Sequence, residues 1–317
     1  MLSDILAPDL FASAIRIATP IALAAIGGAI CERAGVVNIA LEGIMLFSAF
    51  MGVVGATFTG SAWGGVAVAV VAGLSLALVH AFASITLKTD QVVSGTAINI
   101  LAGGLTGFFM EVIFQRPGTT DPVTRLSPLL ELNGPTTGYL ADIWVWINTT
   151  LFSYTPIVYI AILIAIVGQW AMFNTRWGLR LRALGENPQA ADTVGINVYR
   201  GRYVAVLMSG ALAGLAGANL TLEQVGSFTE GMTNGRGFIA LAANIFGRWT
   251  PAGSYGASLL FGFADALQIK LQLLRDVVAI PSQFFLMLPY VLTVVVLAGV
   301  VGRAVAPAAV GKPYEKS

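Results

Sequence analysis

Six polar side chains stand inside long apolar runs of the sequence, where each needs a hydrogen-bond partner or water. They are Asn38, Glu42, Asn99, Asn219, Asn244 and Asp265. Carboxamides donate and accept hydrogen bonds without requiring a counter-ion, which suits a neutral solute such as a sugar or a nucleobase. Any one of the six would serve equally well as a helix cap or an interhelical hydrogen bond. Taken together, they predict a pathway for a small polar solute.

Catalytic and metal chemistry find no support in the sequence. One histidine, His80, and one cysteine, Cys31, provide neither a histidine metal cluster nor an intrachain disulfide. The GxSxG and HExxH motifs are absent. The phosphate-binding motif GxxxxGK[ST] is also absent, because the one Gly-Lys pair, Gly311-Lys312, is followed by Pro313. We therefore expect no enzyme activity and no cofactor in this chain; if ATP energises its function, another polypeptide would bind the ATP and Mg²⁺.

The six side chains lie on apolar runs that are long enough to cross a membrane. Of 317 residues, 56% are hydrophobic and 10% are charged, and the mean hydropathy is +0.81. Runs of about 20 residues cross about 30 Å of hydrocarbon. Lipid offers no partner to backbone polar groups and the runs lack strand-like alternation, so they are predicted to be helices. The net charge of +1 gives no indication of nucleic-acid binding.

We predict an all-α polytopic membrane protein, a bundle of about nine transmembrane helices in a single domain that covers residues 1–317. The predicted spans are Ile15–Cys31, Ile39–Phe58, Trp63–Leu87, Val92–Phe114, Pro156–Phe173, Tyr203–Leu222, Gly237–Gly247, Gly253–Leu271 and Phe284–Gly302. The seventh is short and glycine-rich, so a broken or re-entrant segment fits it as well as a full crossing does. The polar, proline-containing connection 115–155 is predicted to be an external loop.

Glycine pairs at a spacing of four residues occur within these runs. Two examples are Gly103 with Gly107 and Gly210 with Gly214. This spacing places both glycines on one helix face and allows another helix to approach closely. The pairs predict a tightly packed bundle.

The most basic stretch of the chain is 174–202, which contains five arginines and two acids. The positive-inside bias predicts that this loop and the tail 303–317 are cytoplasmic. Within the loop, Asn187 is placed to cap a helix and Pro188 suits its first position. Gly195 is a natural helix end. The sequence therefore predicts a helix of roughly two turns that is suited to docking on another protein.

Three blocks of the sequence carry a resemblance to a known family: Ala24–Phe50 with ERAGVVNIALEG, Gly178–Ala218 with RALGENPQAADTVGI, and Gly235–Gly262. They resemble the permease subunits of bacterial ABC importers in the branched-chain amino acid, ribose and nucleoside permease family. The likeness is closest to the nucleoside or simple-sugar branch. It implies a multi-pass protein of the bacterial cytoplasmic (inner) membrane that moves nucleosides by alternating access.

The resemblance also implies partners and assigns a role to the short helix. Expected partners are a second, related and longer permease chain, ABC ATPase subunits and a solute-binding protein, with membrane lipid around the bundle. The short helix would be the coupling helix that seats on the ATPase. The residues implied for this seat are Arg182, Gly185, Glu186, Asn187, Pro188, Ala190, Ala191 and Gly195.

Other functions stay open at this point. Ribose or another simple sugar is the alternative solute, and a branched-chain amino acid is third because no span shows an arginine that would pair its carboxylate. A secondary transporter would need a carboxylate deep in the bundle for ion coupling, and Asp265 is the one candidate. An intramembrane enzyme would need a nucleophile with a base at matched depth, and none is apparent.

Overall fold

The computed structural model describes residues 8–129, 144, 146–273 and 305–316, together with 287, 291 and 294. Across these residues the regular structure is helical, apart from one isolated antiparallel bridge between Thr119 and Thr229. The α-helices are α1 (Pro8–Arg33), α2 (Leu41–Thr59), α3 (Ala62–Ala81), α4 (Gln91–Phe114), α5 (Pro156–Asn174), α6 (Arg176–Glu186), α7 (Pro188–Thr193), α8 (Val198–Ala218), α9 (Arg236–Phe246) and α10 (Pro251–Leu273). Helices α3 and α8 continue as π-helical turns, Phe82–Thr86 and Asn219–Val225. The all-α prediction is confirmed for this part of the chain.

Six helices are long and apolar enough to cross a membrane: α1, α2, α3 with its π turn, α4, α5 and α8 with its π turn. They correspond to the first six predicted spans. Helix α9 has 11 residues, a length of about 16 Å, so it is too short to cross about 30 Å of hydrocarbon. Helix α10 covers the predicted eighth span but is not among the six. The predicted ninth span, Phe284–Gly302, falls almost wholly outside the described residues, so the total of nine stays a prediction.

Helix α1 lies at the centre of the bundle, packed chiefly against α8 and α10. In its membrane-length window 83% of the residues are buried, against 22% in α4 and 28% in α5, which are therefore peripheral. Small residues allow the close packing: a β-carbon at Gly262 would lie 2.5 Å from the carbonyl oxygen of Ala14. The bundle is organised around α1.

The two glycine pairs have different surroundings. A β-carbon built at Gly73 of α3 would lie 2.9 Å from the Cα atom of Gly214 and would also meet Gly210. Close packing is thus confirmed at that pair. Gly103 and Gly107 on α4 have nothing within 4 Å among the described residues. The prediction is wrong there, because the face of α4 that carries them is not covered by another described helix.

Helix α9 begins inside the bundle and runs toward the end of α1. An extended stretch leads into it and pairs with the 118–126 part of the loop before α5: Val123 N donates to Gly226 O (2.8 Å) and Thr120 N to Phe228 O (2.9 Å). Beyond α9, the carbonyl oxygen of Trp249 accepts a hydrogen bond from Arg33 Nε (2.8 Å). The predicted seventh span therefore contains a helix about half as long as a full crossing requires.

One end of the bundle gathers the basic segments, and we call it the basic end. It comprises Arg33, Lys88, α6 and α7 with the start of α8, Arg248 and residues 305–316. Hydrogen bonds join its parts, including Arg33 Nη2 to Arg248 O (3.0 Å) and Lys88 Nζ to Glu315 Oε1 (2.9 Å). The segments that the charge bias predicts to be cytoplasmic thus lie on one side of the molecule.

Candidate coupling segment and solute pathway

Helix α7 is the predicted short helix, and the residues predicted to begin and end it do so. Asn187 Oδ1 accepts a hydrogen bond from Ala190 N (3.0 Å), and Pro188 occupies the first helical position. At the other end Gly195 has φ +82°, and Ile196 N donates to Ala191 O (3.1 Å). These groups close a helix of 6 residues. A helix this short has little stability of its own, so its caps and packing hold it.

Helix α6, which precedes α7, lies where the sequence predicts only a basic loop. Thr175 caps it by accepting a hydrogen bond from Gly178 N (3.2 Å). Its buried residues are Gly178, Leu181, Leu184 and Gly185, whose spacing of three to four marks one apolar helix face. That spacing can be found in the sequence, but arginines stand between these positions. They make the segment polar on average, so it does not stand out as an amphipathic helix. Helices α6 and α7 together form the coupling segment, 176–193.

The coupling segment is fixed to the end of α1 through Gly185. A β-carbon at this position would lie 2.9 Å from the carbonyl carbon of Arg33, so a larger residue would push the two helices apart. Pro188 and Ala191 are buried, and Ala191 packs in an apolar cluster with Leu184, Val198 and Tyr314. Of the residues predicted for the ATPase seat, these three face the protein itself.

Other residues of the coupling segment, and the two that follow it, face outward. Glu186, Asn187 and Ala190 are exposed within the segment, and Val194, which is 74% exposed, and Gly195 are exposed just after it. An exposed valine beside an exposed acid on a capped helix is a small apolar surface with a charged edge. Arg182 points elsewhere: it is half-buried, with its guanidinium carbon 5.0 Å from the Phe173 ring centroid. The structure thus divides the predicted seat into outward-facing and inward-facing residues.

The C-terminal residues 305–316 fold back onto the coupling segment. Ala309 N donates to Gly185 O (2.8 Å), and Gly311 N donates to Gly35 O (3.1 Å). These two bonds join the tail to the end of α6 and to the connection after α1. The sequence predicts only that the tail is cytoplasmic, and backbone bonds of this kind leave no side-chain signal.

Aromatic and charged side chains complete the seat of the tail. Tyr314 is 4% exposed, its ring lies edge-on to Tyr199 at 5.5 Å, and its hydroxyl interacts with the Asp192 carboxylate of α7. Lys88, between α3 and α4, pairs with Glu315 at 2.9 Å. The tail therefore connects α7 with α8 and with the α3–α4 turn.

Arg202 of α8 is a buried cation at the same junction. It is 2% exposed; its Nε donates to Ala34 O (3.2 Å) and its Nη1 to Lys312 O (3.0 Å). Carbonyl oxygens rather than a carboxylate therefore bind Nε and Nη1, while Nη2 has no hydrogen-bond partner among the described residues. In the sequence it counts only as one more positive charge, whereas in the structure it connects α1, α8 and the tail.

Among the pathway candidates, Glu42 has the clearest role. Its Oε1 accepts a hydrogen bond from Gly235 N (2.8 Å) and its Oε2 from Gly237 N (2.6 Å). These donors belong to the first turn of α9, which begins within the bundle. A carboxylate there satisfies two orphan N–H groups and the positive end of the helix dipole. A β-carbon at Gly237 would lie 2.5 Å from the Glu42 backbone, so a glycine is needed for this approach.

Three asparagines surround the connection between α1 and α2. Asn99 Oδ1 accepts from Gly43 N (2.7 Å), and its Nδ2 donates to Ile39 O (3.0 Å). Asn38, which is fully buried, donates to Ser209 Oγ (2.9 Å). Asn244 is also fully buried, and faces Gly28 of α1. The hydrogen bonds of Glu42, Asn99 and Asn38 hold helices together, whereas both side-chain polar atoms of Asn244 and the Oδ1 atom of Asn38 are buried without a hydrogen-bond partner among the described residues.

The other two candidates lie apart from these four residues. Asn219 lines a cavity of about 520 Å³ at the end opposite the basic end, together with Arg16, Arg125, Glu223 and Gln224. Within it, Asn219 donates to the Glu223 carboxylate and accepts from Gln224 Nε2 (2.8 Å). Asp265 is half-buried on α10, where the charge that interacts with it is that of Arg236. The six candidates therefore do not form a single cluster.

Comparison with known proteins gives matches over nearly the whole chain. The family model described as branched-chain amino acid transport system / permease component matches residues 10–297. The guanosine ABC transporter permease protein NupQ of Bacillus subtilis is 44% identical over 308 residues, 94% of each chain. The nucleoside ABC transporter permease protein NupC of Lactococcus lactis is 40% identical over 310 residues, also 94% of each chain. TsgC13 of Haloferax volcanii, provisionally named a glucose ABC transporter permease protein, is 38% identical over 84% of this chain and 78% of its own.

Proposed function

Because this chain belongs to the branched-chain amino acid transport system permease family, as a multi-pass ABC transporter permease subunit of the cytoplasmic (inner) membrane, we propose that it imports nucleosides. Import proceeds by alternating access and uses ATP that a separate subunit hydrolyses. The observation that carries this proposal is the capped helix α7 on the basic end, with Glu186, Ala190 and Val194 exposed around it.

We propose that α7 is the coupling helix and that its exposed face seats on the ATPase. The exposed Val194 and Ala190 offer apolar contact, and Glu186 offers a charge that orients docking. Gly185, at the end of α6 next to α7, packs on the end of α1, and Arg202 bonds Ala34 just after α1 from α8, so a displacement of α7 would be passed to α1 and α8. ATP-driven movement of the seat would then tilt the bundle between outward-open and inward-open states.

For the solute, we propose a nucleoside, recognised in part at the cavity that Asn219 lines. Its volume of about 520 Å³ lies in the range of about 300–1000 Å³ that is typical of small-molecule sites. Carboxamide and carboxylate groups of Asn219, Gln224 and Glu223 offer donors and acceptors to a base edge and to ribose hydroxyls. We propose that Asn38, Glu42 and Asn99 act on the pathway by holding its helices in place.

A simple sugar is the second candidate solute, since the similarity to TsgC13 favours it. The cavity chemistry suits sugar hydroxyls as well. Secondary transport is less well supported, because the relatives that match over nearly the whole chain are ABC transporter permeases.

We also propose that the partner permease half packs on α4. Only 22% of its membrane window is buried, and Gly103, Gly104 and Gly107 open a flat strip on its surface. Small residues at this spacing allow a second helix to approach closely. Cysteines introduced at Gly104 should cross-link to the partner half in membranes, while cysteines at the lipid-exposed Leu163 on α5 should not.

The experiment that tests the function is uptake in cells that express the chain with its ATPase, binding protein and partner permease. Labelled guanosine and uridine should accumulate, and inactivating the ATPase nucleotide site should abolish accumulation. Uptake of ribose or glucose without nucleoside uptake would show that the solute is a sugar and not a nucleoside. Uptake that survives loss of the ATPase and collapses with an ionophore would contradict the ABC mechanism.

A further inference from the structure

A groove of about 360 Å³ lies between α6 and the start of α8. Its wall combines two arginines with apolar side chains and an interfacial tryptophan. The lining residues that matter here are Trp177, Arg180, Leu181, Asn197, Arg200 and Val204. Val194 and Gly195, which lie on the proposed ATPase-facing surface, form one edge of the groove, whereas its two arginines and its tryptophan have no part in the coupling role described above.

The groove lies at the level of the membrane surface. Helix α5 is membrane-crossing and ends at Asn174, so α6 begins where the bilayer ends. On α6, Trp177 and Leu179 are 37% and 62% exposed, and tryptophan is enriched at this interface. Val204, 46% exposed, lies about 9 Å farther along α8 than its first residue. The groove therefore extends from headgroup level into the acyl region.

The charge in the groove is not neutralised by the protein. Arg180 and Arg200 are exposed, and neither guanidinium has a hydrogen-bond or salt-bridge partner among the residues that the structure describes. The two acids of this segment interact elsewhere: Glu186 accepts a hydrogen bond from Ala308 N (3.3 Å), and Asp192 interacts with the Tyr314 hydroxyl. Two free guanidinium groups beside apolar surface match a phosphate that carries acyl chains.

We propose that this groove binds an anionic phospholipid from the leaflet on the coupling side. Its phosphate lies between Arg180 and Arg200, and one acyl chain runs along Leu181 and Val204. A protein partner is less well suited, because Trp177 and Val204 lie at membrane depth. The bound lipid bridges α6 and α8 and so stabilises the coupling segment.

The test uses the assembled transporter in phosphatidylcholine nanodiscs that contain 20% phosphatidylglycerol, with retained lipid counted by native mass spectrometry. Arg180→Gln/Arg200→Gln should weaken phosphatidylglycerol binding by about 25-fold, at about fivefold for each arginine. Arg176→Gln/Lys316→Gln removes the same charge from the same end of the molecule outside the groove, and should bind like the wild type. Thermal unfolding of each variant confirms that it is folded.

Three results would overturn the proposal. The first is equal phosphatidylglycerol retention in both double variants. The second is displacement of the lipid by millimolar inorganic phosphate, which would identify a plain anion site rather than a lipid site. The third is loss of the ATPase from Arg180→Gln/Arg200→Gln with lipid retention unchanged, which would assign the groove to the ATPase interface.

Discussion

Replacing Glu42 with Gln tests whether this residue caps α9 or contacts the solute. The carboxylate accepts two backbone hydrogen bonds, at 2.8 and 2.6 Å, at the start of a helix within the bundle. Hydrogen bonds to a charged group contribute about 1.5–3 kcal/mol each. Glutamine keeps one neutral acceptor and turns an N–H donor toward the second amide, which leaves that amide unpaired. We expect a loss of about 3 kcal/mol locally, once the weaker helix-dipole interaction is included.

The assay is hydrogen–deuterium exchange of the purified transporter, read over the first turn of α9. A local loss of about 3 kcal/mol should speed exchange of the Gly235 and Gly237 amides by about 150-fold. The control is Glu111→Gln on α4, an exposed acid to which the same substitution is made, and exchange in α9 should not change there. Nucleoside uptake by Glu42→Gln should show a reduced maximal rate with an unchanged KM.

A different pattern would refute this reasoning. If exchange in α9 is unaltered in Glu42→Gln while the KM for uptake rises, Glu42 contacts the solute and does not act as a cap. The two roles differ in both readouts, so a loss of activity alone does not decide between them.

Three further predictions concern the same framework. Gly237→Ala should lower the melting temperature of the complex, since its β-carbon would lie 2.5 Å from the α2 backbone, whereas Gly256→Ala on α10, with nothing within 4 Å, should not. Asn187→Ala should cost about 1 kcal/mol of α7 stability, seen as about fivefold faster amide exchange in α7 with lower uptake, and Asn187→Ser should restore both. Tyr314→Ala should cost about 3 kcal/mol at the seat of the tail and expose it to limited proteolysis, while Lys316→Ala should leave it protected.

The helices could be predicted from the sequence because membrane length and hydropathy are local properties. Helix α7 was predictable for a similar reason: Asn187, Pro188 and Gly195 are signals that act within one helix. Helix α6 was missed because its apolar face consists of only a few positions between arginines. Such a segment has a polar average composition, which predicts a loop. The burial of its apolar face against the bundle depends on tertiary packing, which the sequence does not show.

The candidate site shows where sequence reasoning ends. It identified Glu42 and Asn99 as unusual, because polar groups within apolar runs need partners. It could not name those partners, since Glu42 bonds amides 193 and 195 residues away. The hydrogen bond between Ala309 and Gly185 could not be predicted from the sequence either, because it joins two backbones and depends on no side chain.

The central claim is that α7 faces the cytoplasm and seats on the ATPase. Ala190 is exposed on α7, and the natural cysteine Cys31 is fully buried, so Ala190→Cys provides one reactive position on the described surface. A membrane-impermeant maleimide should label this variant in inside-out vesicles stripped of the ATPase, and should fail to label it in right-side-out vesicles. Adding the ATPase back should protect the cysteine. Labelling in right-side-out vesicles, or undiminished labelling in the assembled complex, would contradict the claim.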